Sequence, residues 1–488
     1  MDKNLSRRNF LKQVAVVSAG AAISGSILSS CTNTSEKEPL DTKSKLPVVP
    51  KIAPGAKVNL ACVGIGNRGA SLIKEMYKTD LCNIVALCDV DMGAKHTQEI
   101  TNKFPKAKQY KDFRKMLDEM DSQIDAVCIG VPDHTHFPVT MGAMMRGKHV
   151  YVEKPLARTF QECELLMEAE KKYGVVTQMG NQGHSEGNYY QFRSWVKEGI
   201  IKDVTAVSAH MNNSRRWHSW DPNMQSYPAA EAIPPTLDWD TWLGTVHHHD
   251  YQKDFINGQW RCWYDFGMGA LGDWGAHILD TIHEFLDLGL PYEIEPTYLK
   301  DHNPFFFPMS TTIKFKFPKR GMMPPLVITW QDGLDNLPVL PKGYGKSAVA
   351  DNIPDVAGKK IKKMHINPGK EIYSKDLIFK GASHGSVLSL IPGERASELK
   401  GKLPDWEKNM PNHAANFLLS VQGKAKPTSP FSISGPLSQV FCLGVLAQRF
   451  GTKLIFDRET KRITNNPLAD IMLRGDGPRL GWDDYYKL

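Results

Sequence analysis

A glycine-rich turn between an apolar strand and a helix is the feature that most limits how this chain can fold. The strand pattern at 57–63 runs into Gly-Ile-Gly-Asn-Arg-Gly at 64–69, and a helical pattern follows directly. Gly64 permits the tight turn, Gly66 lets the backbone approach a pyrophosphate, and Gly69 lets the helix and the strand pack closely. Unpaired N–H groups at the start of the helix favour an anion there. The spacing therefore predicts a dinucleotide-binding unit.

An acidic residue at the end of the next strand indicates which dinucleotide binds. The apolar pattern at 84–88 ends at Asp89, which lies 20 residues after Gly69. A carboxylate at this place can accept hydrogen bonds from both ribose hydroxyls and would repel a 2′-phosphate. We therefore expect NAD as the cofactor, with NADP as the weaker alternative because Arg68 supplies a cation that could tolerate the phosphate.

The alternation of strands and helices continues after this unit. It predicts a parallel, doubly wound Rossmann sheet covered by helices on both faces, with ligands at the carboxyl ends of the strands. Three motifs follow predicted strands at that edge: Val131–His136, Glu153–Pro155 and Gln178–His184.

The second part of the chain has a different pattern. From about Asp203 the sequence is rich in strands with few helices between them, as at 204–211, 311–317 and 326–331. Such runs predict an α+β domain with a mainly antiparallel sheet. We also predict helices at 271–286, 413–421 and 436–450, long loops at 303–308 and 337–368, and an irregular tail at 462–488.

The first thirty residues resemble a twin-arginine export signal. Ser6-Arg7-Arg8-Asn9-Phe10-Leu11-Lys12 precedes a mildly apolar run, and Leu28-Ser29-Ser30-Cys31 resembles a lipobox that would place a lipid on Cys31. Signal cleavage without lipidation is the alternative. We expect export to the periplasm, where the lipid would anchor the protein to a membrane. The predicted domains are the signal peptide with its lipobox (1–31), a flexible tether (32–54), a Rossmann domain (55–180) and a substrate-binding and oligomerisation domain (181–488).

The charge balance argues against a nucleic-acid partner. The chain has Lys+Arg 60 against Asp+Glu 53, a net charge of +7. Four cations and one anion among residues 1–30 account for +3 of this excess. The small remainder does not suggest a phosphate-binding surface. No later stretch has about 18 consecutive apolar residues, so a spanning helix is not expected either.

No metal site is expected. His134 and His136, and also His247 to His249, have spacings that metal ligands can have, but Cys or carboxylate companions at a zinc-like spacing are missing. We consider two interpretations of His134 and His136: they lie in a loop that faces the cofactor, or their hydrogen bonds only shape that loop. The seven cysteines after Cys31 contain no CxxC pair and predict buried free thiols.

Four motifs together resemble the Gfo/Idh/MocA oxidoreductases over roughly residues 55 to 460: the GxGxRG turn, P-D-H-x-H, G-K-H-V-Y-x-E-K-P-L and G-x-L-x-D-x-x-x-H. The resemblance implies that the lysine of E-K-P, here Lys154, lies near the nicotinamide and takes part in catalysis. It also implies that the second sheet of the α+β domain is large, mainly antiparallel and open, and that its outer face forms the subunit contacts of a homo-oligomer. Turn, strand ends and resemblance together predict these cofactor-binding residues: Gly64, Ile65, Gly66, Asn67, Arg68, Gly69, Asp89, Pro132, Asp133, His136, Glu153, Lys154 and Gln182.

Oxidation of an alcohol by NAD needs a base for the hydroxyl proton. Lys154 qualifies if desolvation and the bound cofactor lower its pKa; the alternative is an exposed loop lysine. Asp273 and His277 are spaced i, i+4 and share one helix face. By resemblance, Asp273 positions the reacting hydroxyl and His277 is the base or relay; the alternative is a pair that only stabilises the helix.

Aromatic residues between Trp217 and Trp274 suggest a sugar substrate, because aromatic faces stack on the C–H faces of sugars while Arg binds hydroxyls. The alternative for about half of them is core packing of the second domain. Our candidate substrate residues are His184, Arg216, Trp260, Arg261, Tyr264 and Trp274.

These features predict an NAD-dependent oxidoreductase that acts on a carbohydrate or glycoside hydroxyl. An exported enzyme has no free NAD pool, so we expect a tightly bound NAD that is recycled within the enzyme. The alternative is a glycosidase that works by transient C3 oxidation, elimination and re-reduction, with Tyr264, His184 and His277 as possible acids and bases. A sugar-binding protein without catalysis is a third hypothesis.

Overall fold

A computed structural model describes residues 46–212, 221–256, 258–344, 366–399 and 401–488. The signal peptide, Cys31, most of the predicted tether and Arg216 lie outside the described residues.

The first sheet is wholly parallel and has six strands in the order β3-β2-β1-β4-β5-β6. Its central strands are buried, as expected for a sheet covered on both faces. The prediction of a Rossmann sheet is confirmed. The strands are β1 Val58–Val63, β2 Cys82–Cys88, β3 Lys108–Tyr110, β4 Ala126–Ile129, β5 His149–Val152 and β6 Thr177–Met179.

Five helices connect these strands: α1 Asn67–Lys78, α2 Lys95–Lys103, α3 Phe113–Met120, α4 Asp133–Met144 and α5 Phe160–Tyr173. Local signals set the ends of α5, because Thr159 and Glu162 form a reciprocal capping box and Gly174 ends the helix in the left-handed region. The segment Val131–His136, interpreted as a loop, is corrected. Helix α4 begins at Asp133, so both histidines of that motif lie in its first turn.

The second sheet has nine strands in the order β13-β12-β11-β7-β10-β9-β8-β14-β15. Among the described strands of this sheet, only β7 and β10 pair in parallel, so the prediction of a mainly antiparallel sheet is confirmed. The predicted domain boundary at residue 180 stays a prediction. The strands are β7 Val204–Met211, β8 Glu293–Lys300, β9 Ser310–Phe317, β10 Leu326–Asp332, β11 Gly369–Ser374, β12 Ile378–Ala382, β13 Ser389–Ile391, β14 Leu454–Asp457 and β15 Arg462–Ile463.

The helices of the second part are α6 Gly187–Lys197, α7 Trp239–Leu243, α8 Gly269–Ile278, α9 Asp280–Phe285, α10 Gly393–Glu398, α11 His413–Val421, α12 Phe431–Phe450 and α13 Pro467–Met472. The single helix predicted over 271–286 is therefore two helices that meet at Leu279. The tail was wrongly predicted as irregular, since it contains β15, α13 and a 3₁₀ turn at 483–486. Helix α13 is too short to show an apolar period, but Asn466 caps it and Pro467 begins it.

Helix α12 joins the two parts of the molecule. It packs against α5 and α8, and a Cβ on Gly444 would come within 2.4 Å of the Leu271 side chain. Among the described residues, α12 is the one helix long and apolar enough to cross a membrane, but 83% of its most apolar 18-residue stretch is buried inside the molecule. It is therefore a core helix. The seven cysteines after Cys31 are buried and free, which confirms that prediction.

Candidate active site

A cleft of about 900 Å³ runs along the carboxyl edge of the first sheet and is closed on its other side by the second part of the chain. It brings together most of the residues predicted to bind cofactor and all three predicted catalytic residues. From those two sets it is lined by Gly64, Gly66, Asn67, Arg68, Asp89, Pro132, Asp133, His136, Glu153, Lys154, Gln182, Asp273 and His277.

The glycine turn has the geometry that a dinucleotide requires. Gly64 has φ +77°, and a Cβ on Gly69 would lie 1.9 Å from the carbonyl oxygen of Gly64. Gly69 therefore serves packing and does not line the cleft. Gly66 is the N-cap of helix α1, which therefore has no capping side chain, and its first turn contains no acidic residue. Its N–H groups are available to a pyrophosphate, so the turn fits NAD. His96, which the sequence analysis missed, lies against Gly66.

Asp89 is held in place by backbone donors. Its Oδ2 accepts the N–H of Ile65 at 2.9 Å and its Oδ1 accepts the N–H of Asp91 at 3.0 Å. Burial raises the pKa of Asp89, and these two donors act against that rise. Each carboxylate oxygen keeps a second lone pair for a ribose hydroxyl. Ile65 contributes its N–H, while its side chain is fully buried in the core.

Arg68 does not offer a free cation for a 2′-phosphate. Its guanidinium lies 2.8 Å from Glu75 and 2.8 Å from Glu153, and Gln182 also donates to Glu153 at 3.1 Å. Two carboxylates thus neutralise Arg68. The Arg68–Glu153 pair also connects the glycine turn to the segment just before Lys154. Because Arg68 is already paired, the expected preference for NAD over NADP becomes stronger.

Lys154 and Asp273 form an ion pair across the cleft. The Lys154 Nζ donates to Asp273 Oδ1 at 2.5 Å and to the Asp273 carbonyl oxygen at 2.9 Å. Their side chains are 13% and 7% exposed, and Arg261 Nε lies 4.0 Å from the same carboxylate oxygen. The Asp273 carboxylate stabilises the charged ammonium of Lys154. The base role expected for Lys154 did not take this ion pair into account.

His277 stacks on His384, a second histidine that the sequence analysis missed. The ring centroids are 4.0 Å apart with 19° between the planes, and both side chains line the cleft. The backbone N–H of His384 donates to the His277 carbonyl oxygen at 2.9 Å. His384 follows β12 with φ +56°. Nothing in the local sequence pattern marked it.

The P-D-H-x-H motif braces the cleft. Asp133 Oδ2 accepts the N–H of Met268 at 3.1 Å, just before α8. His136 contacts the carbonyl oxygens of Pro155 at 2.6 Å and Val131 at 3.0 Å, and burial lowers the pKa of His136 to about 4. Contacts with these two carbonyl oxygens fix His136 beside Lys154, and its side chain also lines the cleft.

Three of the candidate substrate residues line the cleft: Trp260, Arg261 and Trp274. The Arg261 guanidinium lies 4.1 Å from the centre of the Trp260 ring. A flat aromatic face and a cation thus lie beside the Asp273 carboxylate, which suits a ligand with C–H faces and hydroxyl groups.

His184 and Tyr264 lie outside the cleft lining. His184 binds Asp280 at 3.2 Å and Glu284 at 2.5 Å. Burial lowers the pKa of His184, but hydrogen bonds to the two carboxylates outweigh it and raise the pKa to about 9. Tyr264 is buried against Phe307. We no longer assign either residue to the substrate.

Several tryptophans of the aromatic cluster belong to the core. Trp239 and Trp242 stack with ring centroids 4.6 Å apart, and Trp263 is fully buried. Core packing therefore explains these members. Trp242 also reaches the cleft.

Comparisons with known proteins cover both parts of this fold. Residues 58–181 match the oxidoreductase family described by an NAD-binding Rossmann fold, and residues 190–303 match the C-terminal alpha/beta domain of the same family.

Curated relatives include an alpha-N-acetylgalactosaminidase of Shewanella oneidensis, 29% identical over 233 residues, which are 45% of this chain and 49% of the relative. A glycosyl hydrolase family 109 protein of Shewanella pealeana is 30% identical over 223 residues, 44% of this chain and 47% of the relative. The chain thus spans about half the length of these relatives.

Similar solved structures include the WlbA dehydrogenase of Bordetella pertussis, solved with NADH and UDP-GlcNAcA, with a TM-score of 0.53 at 12% identity over 82% of this chain and 99% of that chain. The aldose-aldose oxidoreductase of Caulobacter crescentus has a TM-score of 0.51 at 14% identity over 82% of this chain and all of the other. At such identities the likeness concerns the fold. The family matches at 58–181 and 190–303 lead to one conclusion: the chain belongs to the Gfo/Idh/MocA family of NAD-binding oxidoreductases.

Proposed function

We propose that this protein oxidises a hydroxyl group of a carbohydrate or glycoside with an NAD that stays bound. The NADH so formed returns its hydride either to a second sugar or to the same substrate, which recycles the cofactor within the enzyme. The observation that carries the proposal is the convergence of Lys154, Asp273 and His277 in the cleft that begins at the glycine turn and Asp89. That convergence joins a dinucleotide site to groups able to hold and move a hydroxyl proton.

Each of the three residues has a distinct part in the proposed reaction. Bound NAD supplies a hydride acceptor for the carbinol carbon. Asp273, fixed by Lys154, accepts the hydrogen bond of the reacting hydroxyl and orients it. As the hydride leaves, the single hydroxyl proton passes from this hydrogen bond to His277, and the Lys154 ammonium stabilises the negative charge that grows on the oxygen.

Two features support a sugar as the substrate. Trp260, Trp274 and Arg261 line the cleft beside Asp273. The curated relatives include an alpha-N-acetylgalactosaminidase. N-Acetyl-α-galactosaminides are therefore the first substrates to test.

The second candidate function is glycoside cleavage, which those relatives and His384 favour. Oxidation at C3 sends a hydride to the cofactor and a proton to the protein, and the new carbonyl acidifies the C2–H. Loss of that proton expels the C1 substituent, water adds at C1 while a proton returns to C2, and hydride return restores the hydroxyl. This route needs a further acid or base beyond His277. His384 provides a second imidazole in the cleft, in place of His184 and Tyr264.

Product analysis in D₂O tests the proposal and separates the two routes. The purified protein is incubated with N-acetyl-α-galactosaminides and other glycosides, and the products are examined by mass spectrometry. A sugar lighter by two hydrogens, formed together with an equal amount of a second sugar heavier by two hydrogens, supports oxidation with hydride transfer to a second sugar. Free sugar carrying deuterium at C2, without net NADH, supports the cleavage route. Free sugar without deuterium, formed equally well by the Lys154→Met variant, would contradict both routes.

Asp89 allows a test of cofactor choice. We expect Asp89→Ala to weaken NAD binding by about 1.5–3 kcal/mol, the range for a hydrogen bond to a charged group, and to narrow the preference for NAD over NADP. Calorimetric titration of stripped protein with each dinucleotide measures both effects. Asp118→Ala, which changes an exposed carboxylate, is the control. Unchanged NAD affinity in Asp89→Ala would remove the ribose assignment.

We further propose that the protein is exported by the twin-arginine route and lipidated on Cys31. The motif around Arg7 and Arg8 and the Leu28–Cys31 sequence support this. Replacing both arginines by lysine is expected to keep the protein in the cytoplasm, and Cys31→Ser is expected to release it from the membrane fraction. Fractionation followed by immunoblotting checks both. Cys31→Ser that stays membrane-bound would contradict the lipid anchor.

The second sheet is our proposed subunit contact. Strand β8 is half-buried or exposed along most of its length, and Tyr298 is 44% exposed. Light scattering after gel filtration measures the mass in solution. A monomer at high protein concentration would contradict this part of the proposal.

A further inference from the structure

The cleft extends beyond the ribose site, toward the β3 edge of the sheet. Lys154 follows β5, whereas Asp89 follows β2, so the strand order places the nicotinamide and the ribose sites at different points along the cleft. The far end of the cleft lies past Asp89, where residues after β3 line it. The adenine of a dinucleotide that spans these points belongs there.

Residues from two parts of the chain line this far end of the cleft. Phe113 and Val139 belong to helices of the Rossmann domain, while Leu237 and Trp482 lie much later in the chain. Flat and apolar side chains of this kind suit an aromatic base. We call residues 234–244 and 479–486 together the adenine clasp.

We propose that the adenine clasp closes over the adenine of NAD and prevents the cofactor from dissociating. This inference rests on the proposed function, which requires a retained NAD, and assigns that retention to named residues.

The first half of the clasp is bound to the Rossmann domain at three points along the sheet edge. Each point uses a backbone group of the segment 234–244. The contacts are Asp238 N to Val90 O at 2.9 Å, Lys111 Nζ to Thr236 O at 3.0 Å, and His134 Nε2 with Trp242 O at 2.7 Å. Val90 follows Asp89 directly, so this half of the clasp lies next to the ribose site.

Arg479 joins the second half of the clasp to the first. Its Nε and Nη2 donate to the Gly244 carbonyl oxygen at 3.0 and 2.8 Å, and Nη2 also donates to the Asp240 carbonyl oxygen at 2.8 Å. Nη1 binds the Asp240 carboxylate at 2.5 Å, and the Arg479 side chain is 15% exposed. One side chain thus holds the two segments together.

Trp482 places the tail over the end of the cleft. It is 3% exposed, its ring centroid lies 6.1 Å from that of Phe113, and the Arg114 guanidinium lies 4.5 Å from its centre. Tyr486 secures the tail further on through a 2.7 Å bond to Glu162. Release of NAD past this end would break the Arg479 bonds and expose Trp482, and in the proposed clasp this cost slows the release.

The rate of NAD exchange tests the clasp independently of catalysis. Holoenzyme is mixed with excess labelled NAD, and the label that becomes protein-bound is followed over time. We expect Arg479→Ala to exchange about tenfold faster or more, the effect of losing hydrogen bonds from a charged group. Leu237→Ala, which shortens a side chain of the adenine clasp that lines the cleft, is also expected to speed NAD exchange. Arg395→Ala, an exposed arginine on α10, is the matched control and keeps the wild-type rate.

The outcomes separate the clasp from the proposed function. Exchange in both Arg479→Ala and Leu237→Ala at the wild-type rate, with stoichiometric NAD in all proteins, would overturn the clasp alone. Wild-type protein that neither purifies with NAD nor binds added NAD would overturn the proposed function and the clasp with it. Circular dichroism of each variant establishes that a faster exchange does not come from unfolding.

Discussion

Lys154→Met is expected to lower kcat/KM by about 10²–10⁴-fold, the usual range for losing a group that acts on the proton or its charge. The variant loses the ammonium that binds Asp273 at 2.5 Å and would stabilise the developing negative charge. NAD retention is expected to stay at the wild-type level, because the clasp and the Asp89 site are unchanged. Steady-state kinetics and the NAD content of the purified variant measure the two quantities.

Lys171→Met is the matched control for this experiment, because Lys171 is an exposed lysine near the end of α5. It is expected to keep full activity. A fully active Lys154→Met would remove Lys154 from the catalytic residues.

Asp273→Ala is expected to lower the free energy of unfolding by about 3–5 kcal/mol, because removing one partner of a buried ion pair leaves the other without compensation. Lys154 is only 13% exposed, and Arg261 lies close to the same carboxylate. Activity is expected to fall as well, since nothing would then orient the hydroxyl. Denaturant unfolding of the variant and the wild type measures the loss of stability.

The double variant Lys154→Met/Asp273→Leu separates stability from catalysis. Apolar side chains in place of a buried ion pair often restore stability, so this protein is expected to unfold closer to the wild type than Asp273→Ala does. It is expected to remain inactive. Asp273→Ala as stable as the wild type would show that the pair contributes nothing to the fold.

The nucleotide site could be predicted from the sequence because its determinants are local. The turn at 64–69 and Asp89 have fixed spacing within one βαβ unit. A Cβ on any of the three glycines would clash with atoms of that unit or of segments packed against it. Apolar and β-rich patterns likewise predicted β7, β9 and β10 of the second sheet, but not β8 or β11.

The substrate side of the cleft could be predicted only in part. The i, i+4 spacing of Asp273 and His277 placed them on one helix face, but the Asp273 partner Lys154 is 119 residues away in the chain. His384 reaches His277 from the end of a distant strand with no motif of its own. His184 and Tyr264 have suitable chemistry, yet tertiary packing buries both away from the cleft. Residue type suggested the candidates, and only the assembled sheets decided among them.

The adenine clasp could not be predicted from the sequence for the same reason. The tail at 462–488 is held by single contacts of Arg479 and Trp482 with distant segments, and these contacts require no apolar period. Such contacts leave no repeating pattern in the sequence.

The NAD content and redox state of the protein during turnover test the central claim most directly. Native protein is purified without added cofactor, and the NAD in one portion is extracted and quantified. A second, intact portion is mixed rapidly with a glycoside that the enzyme converts, and NADH absorbance is recorded. The proposed function predicts stoichiometric NAD and an NADH signal that rises before product is released. Protein stripped of NAD that forms product at the full rate, with no NADH signal, would contradict it.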